Sequence, residues 1–205
     1  MPCDRPLLYK NDLWSIIITP DQLGCNRYLW SIYDQVVGAR ILHIGTGAST
    51  IFHAFRDEAE RIDGITIVPS EIAVGANLAG CYKKEYRIWN FNKYDCASFD
   101  AFNVPRDYDF IVDNNLKQHA CCNDHWREYF NTIASRLSPG GQLITHTQGF
   151  CRFTGVKTDV EALTVEELRD LCTMHPANLA LECRSELKNR AAHYPVVIRR
   201  NGSKS

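Results

Sequence analysis

The chain has 205 residues, 45% of them apolar and 23% charged, with a formal net charge of −1. That suffices for one domain with a real core and excludes an overall positive field that would gather a phosphate backbone. No apolar stretch approaches the ~20 residues of a membrane helix, and residues 1–6 hold no apolar signal core, so the expected location is cytoplasmic, with no membrane partner.

Residues 27–33 (RYLWSIY) read as an amphipathic helix preceding the first strand. Residues 41–44 (ILHI) are a buried strand that runs into the small-residue turn GTGAS. A helix starts at Ser49 or Thr50, either of which can cap it, with Ile51, Phe52, Phe55 and Ala59 on one face. Residues 64–68 form a second strand, and Ser70 is placed to cap a helix over 71–79. Residues 86–91 alternate with period two as a third strand, and 109–113 are a fourth. Asn123 is placed to cap a helix whose face is Trp126, Phe130, Ile133 and Leu137, stopped by Ser138-Pro139-Gly140-Gly141. Residues 142–145 are the fifth strand. Thr164 with Glu167 forms a capping box, Pro176 ends the helix that follows, and 179–183 with 194–198 close the chain as an antiparallel pair. Alternating strands and helices predict a doubly wound (Rossmann-like) α/β fold: a mostly parallel seven-stranded sheet with an antiparallel C-terminal pair. The expected organisation is an N-terminal helical lid, 1–35, and a catalytic domain, 36–205.

The nine cysteines read as thiols. No C-x-x-C pair occurs, so no metal site is expected, and Cys121-Cys122 read as small buried residues.

The turn after the first strand lies where doubly wound sheets hold ligands, beyond the C-terminal strand ends. Gly45 and Gly47 allow a sharp bend and close approach of a ligand. A dinucleotide site would need a third glycine and an acid at the end of the second strand. Thr50 stands in the first place and no acid in the second, which disfavours a pyrophosphate.

Four segments in order resemble the class I S-adenosylmethionine-dependent methyltransferases: ILHIGTGAS at 41–49, GITIVPSE at 64–71, YDFIVD at 108–113 and LSPGGQLI at 137–144. The resemblance spans about residues 36–200 and implies S-adenosylmethionine as cofactor. It implies that Gly45, Thr46, Gly47 and Ser49 face the methionine part and ribose. The second strand ends in Thr66 and Ile67 instead of the usual ribose acid, similar to the cyclopropane-fatty-acid-synthase variant, with Glu71 placed for the ribose work. The loop of Asn92 borders the adenine, and Asp113, Asn114 and Asn115 lie under the sulfonium and the acceptor. His43 stands where the family often has an acid.

Asn114, Asn115 and His119 are the candidates for polar work on the acceptor side, His119 as a base or as a solvent-facing loop residue. His146 is open to the same two readings, His125 reads as a solvent-facing or capping residue, and His43 as a core histidine. Among Trp14, Tyr28, Trp30 and Tyr33, which otherwise pack the core, Tyr28 is the ring chosen to touch the sulfonium. No Pro-Pro-aromatic segment follows Asn115, which disfavours nucleic-acid bases as acceptors, and the lack of a large insertion favours a small molecule. A homodimer is left open. The expected activity is methyl transfer to a small molecule. The alternative is closure of the cofactor's own aminocarboxypropyl chain to an azetidine with release of methylthioadenosine, or transfer of that group. Further rivals are an inactive binding subunit and a nicotinamide oxidoreductase.

Overall fold

The computed structural model describes residues 20–82, 84–117, 120–150, 161–189 and 191–202. Two helices, α1 (Pro20–Ser31) and α2 (Tyr33–Val36), precede strand β1 (Arg40–Ile44). There follow α3 (Thr50–Phe55), β2 (Arg61–Thr66), α4 (Pro69–Tyr82), β3 (Arg87–Asn90), α5 (Cys96–Ala101) and β4 (Tyr108–Asp113). The chain continues through α6 (Asn123–Ser135), β5 (Leu137–His146), a 3-10 turn at Thr147–Phe150, α7 (Val165–Met174), β6 (Leu179–Cys183) and β7 (Pro195–Arg200).

The strands form one sheet in the order β3-β2-β1-β4-β5-β7-β6. All pairs from β3 to β5 are parallel, and β7 runs antiparallel to both β5 and β6. The central strands are buried along nearly their whole length because helices cover both faces. One face packs Ile41, Val112 and Ile144 under α1 and α3, through Tyr28, Leu29, Phe52 and Phe55. The other packs Leu42, Ile111 and Leu143 under α5, α6 and α7, through Phe99, Trp126, Phe130 and Leu168. The order of the strands reverses between β1 and β4, which opens a crevice beyond their C-terminal ends.

Local chemistry differs from expectation at several boundaries. Helix α4 begins at Pro69, whose fixed φ suits a first helical position, so Ser70 lies inside the helix and does not cap it. Neither Ser49 nor Thr50 caps α3 through its side chain; Ser49 is left-handed at φ 53°. The cap of α6 is Cys122, whose Sγ accepts from the His125 amide, and Asn123 is the first helical residue. Leu137 belongs to β5, which already pairs with Tyr108 ahead of the Pro139-Gly140-Gly141 stretch; that stretch bulges from β5 where the register shifts between Tyr108 and Phe110. Of the box expected at α7 the cap forms, Glu167 N donating to Thr164 Oγ1 at 3.0 Å, while the Glu167 carboxylate accepts from Lys117 Nζ at 3.2 Å. The described part of the expected N-terminal lid is packed into the sheet's core through Cys25, Tyr28 and Leu29.

Candidate functional site

The turn from β1 to α3 holds three left-handed residues in alternation: Gly45 (φ 71°), Gly47 (φ 50°) and Ser49 (φ 53°). Gly45 lies exposed at the crevice, with no atom within 4 Å of where a Cβ would stand. Beneath the turn lies Glu71, buried in the first turn of α4. Its Oε2 accepts from Gly47 N (2.9 Å), Thr46 Oγ1 (3.1 Å) and Thr66 Oγ1 (2.5 Å). Thr66 Oγ1 in turn accepts from Val68 N (3.0 Å). The carboxylate thus ties the glycine turn to the end of β2. Among the described residues Oε1 takes no bond and no cation pairs with the carboxylate. Ile67 is half-buried at the bend that follows Thr66.

Across the crevice, β4 ends in the buried Asp113. Lys93 Nζ donates to its Oδ1 and Oδ2 (3.0 and 2.7 Å), the Tyr129 hydroxyl to Oδ2 (2.5 Å) and Asn115 N to Oδ1 (3.0 Å). Lys93 also reaches the Asn115 carbonyl at 2.7 Å, so the loop after β4 is pinned to the loop after β3. Burial, and then the Asp113 charge, hold the Tyr129 phenol well above its usual range, so it stays a donor. Burial lowers the Lys93 ammonium from its usual value while Asp113 opposes the shift. Asp113 therefore orders the crevice floor with its acceptor positions filled. Asn92 accepts from Tyr94 N at 3.0 Å and shapes the loop after β3.

Asn114 is buried, and its Oδ1 has no partner. Its backbone carbonyl presses against Gly149 in the 3-10 turn after β5, where a Cβ would lie 1.8 Å from the carbonyl oxygen. Gly149 thus allows the loops after β4 and β5 to meet. Buried at the start of α3, Thr50 Oγ1 also has no partner.

Gly45, Thr46, Gly47, Ser49, Thr66 and Glu71 form one cluster, and Asp113, Asn114, Asn115 and the Asn92 loop form the opposite wall. The structure does not bring Tyr28 to this place. Its hydroxyl donates to Gln142 Oε1 at 2.6 Å, four residues before the end of β5, about 13 Å down the strand. A sequence cannot show this, because the register of α1 along β5 is a tertiary fact. His119 and Trp14 lie outside the described residues. His43 is fully buried with both ring nitrogens unpartnered, and burial pushes it down to about 4 against the opposing pull of Asp113. His146 ends β5 with its ring against Gly24 of α1 and its Nδ1 accepting from Gln148 N at 3.3 Å. Lys93 is the participant that sequence reasoning missed; the only signal was its place just after the third strand.

The sequence matches no family model and no curated protein. Among solved structures it resembles the N-methyltransferase NodS from Bradyrhizobium japonicum in complex with S-adenosyl-l-homocysteine, with 15% identity over 93% of each chain and a TM-score of 0.65. It also resembles an S-adenosylmethionine-dependent methyltransferase from Clostridium acetobutylicum, with 10% identity, 95% and 96% coverage and a TM-score of 0.66. A third is the [4+2]-cyclase SpnF, with 15% identity, 89% and 83% coverage and a TM-score of 0.60. By strand order, crevice and these likenesses, the chain has the Rossmann-like fold of the class I S-adenosylmethionine-dependent methyltransferases.

Proposed function

We propose that the crevice binds S-adenosylmethionine and that the protein transfers its methyl group to a small molecule. The observation that carries this reading is the bond from Gly47 N–H to Glu71. In a pyrophosphate site that amide would point at the ligand. Here it is spent on a buried carboxylate that has no cationic partner among the described residues. A phosphate would meet a like charge, whereas a cationic ligand would be drawn in. Glu71 Oε1 is placed to accept from a ribose hydroxyl, and the open Gly45 backbone lets the ligand lie close. Asn114 Oδ1 suits an ammonium or another donor at the opposite wall.

Bound S-adenosylmethionine supplies a methyl carbon already activated by its sulfonium. The chain's task is alignment and exclusion of water. The Lys93–Asp113–Tyr129 network holds the floor rigid without offering a competing nucleophile, because Lys93 is occupied by Asp113 and Asn115. Asn114, Asn115 and His119 are the acceptor-side residues of this reading. A small acceptor fits the short connections, since only residues 114–122 separate β4 from α6. Among the described residues no helix is long and apolar enough to cross a membrane.

The test is incubation of the purified protein with S-adenosylmethionine, with and without candidate small acceptors, and mass spectrometry of the products. S-adenosylhomocysteine formed only with an acceptor supports methyl transfer. Methylthioadenosine formed without any acceptor rejects it in favour of azetidine formation from the cofactor's own chain. Methylthioadenosine that needs an acceptor points to aminocarboxypropyl transfer.

A further inference from the structure

Three soft ligands converge at the N-terminus of α6. Cys121 Sγ lies 3.0 Å from His125 Nδ1 and 4.0 Å from Cys122 Sγ. The three ligand atoms all lie within 4.8 Å of one another, and all three residues are half-buried. The helix creates this arrangement. His125 follows Cys121 by four residues and Cys122 by three, which puts its ring over the N-cap. C-x-x-C spacing is absent from the chain, and the donors come instead from adjacent cysteines with a histidine one turn on.

We propose that Cys121, Cys122 and His125 bind a borderline-soft divalent cation, zinc above all, as its three ligands among the described residues. Two thiolates and an imidazole are the donors such an ion selects over magnesium or calcium. With Zn–S near 2.3 Å and Zn–N near 2.0 Å, tetrahedral ligands stand roughly 3.8 Å (S to S) and 3.5 Å (S to N) apart. The 4.0 Å sulfur separation already matches. The 3.0 Å thiol–imidazole separation is a hydrogen bond that opens by about half an ångström to admit the ion. Binding forms two Zn–S bonds and one Zn–N bond and releases the two thiol protons to solvent.

The test titrates the reduced full-length protein, without S-adenosylmethionine, with cobalt(II) and then zinc. The expected result is one cobalt per chain, with sulfur-to-cobalt charge transfer in the near ultraviolet, intense tetrahedral bands in the visible, and displacement by zinc. Cys122→Ser keeps an oxygen that caps the helix, so its circular dichroism should match wild type while cobalt affinity falls about 100-fold or more, since even outer-shell losses cost 10–100-fold. His125→Ala should lose as much. Cys81→Ser, which alters an exposed thiol elsewhere, should change nothing. Absence of the charge-transfer band, undiminished binding in the Cys122 and His125 variants, or loss of binding in Cys81→Ser overturns the proposal. None of these outcomes bears on the cofactor reading, because no cofactor is present.

Discussion

At the scale of single residues, Glu71 and His43 carry the sharpest consequences. Glu71 makes three bonds through one oxygen, and in the proposed reading the other accepts from the ligand. Glu71→Gln keeps the shape and removes the charge. Isothermal titration should show S-adenosylmethionine binding about 10- to 100-fold weaker, the equivalent of the ~1.5–3 kcal/mol of a charged hydrogen bond. An unchanged Kd would remove Glu71 from the site. His43 makes a prediction about pH. Its folded pKa of about 4 lies below the ordinary 6.5 because burial penalises the cation. The unfolded chain therefore takes up a proton that the folded state refuses. Stability is complete above pH 6.5 and falls as the pH drops from 6.5 towards 4, by up to about 3 kcal/mol from this group. Urea unfolding of wild type and His43→Leu at pH 7 and pH 5 should show a smaller acid loss in the variant. Equal losses would mean that the ring finds a partner when charged.

At the scale of elements, the crevice depends on loops that press on one another. Gly149 has no room for a methyl group beside the Asn114 carbonyl. Gly149→Ala should force the loops after β4 and β5 apart, lower stability by about 1–3 kcal/mol as an overpacking change, and weaken cofactor binding as well. A thermal melt together with a binding titration separates the two effects. A variant that melts and binds like wild type would show that the close approach does not shape the site. Element starts also show how far local rules reach. Thr164 at α7 caps as its side chain predicts. At α4 the ring of Pro69 overrides the Ser70 hydroxyl. At α6 a sulfur takes the cap that Asn123 was expected to supply. These boundaries hang on one or two hydrogen bonds, so competing side chains move them by a residue.

At the scale of the whole molecule, a ligand that binds only the folded chain raises its stability by mass action. S-adenosylmethionine at ~100 times its Kd adds about 2.7 kcal/mol, which for a domain of this size raises Tm by about 5–10 °C. NADH should leave Tm unchanged. The reverse outcome would replace the proposed cofactor with a nicotinamide. Much of this molecule was legible in one dimension. The strand runs, the glycine turn and the apolar faces of α3 and α6 are local patterns, and the alternation of strands with helices predicts a doubly wound sheet. Glu71 could be singled out because it stands only five positions after Thr66. What the sequence could not determine were the pairings between distant elements. The Lys93–Asp113 contact joins residues 20 positions apart, and Tyr28 turns to Gln142 across 114. The convergence of Cys121, Cys122 and His125 needed the helix start to be fixed at Cys122. Periodicity encodes which face of an element is buried. Which residue meets which across the sheet is set by register and packing, and these exist only once the chain has folded.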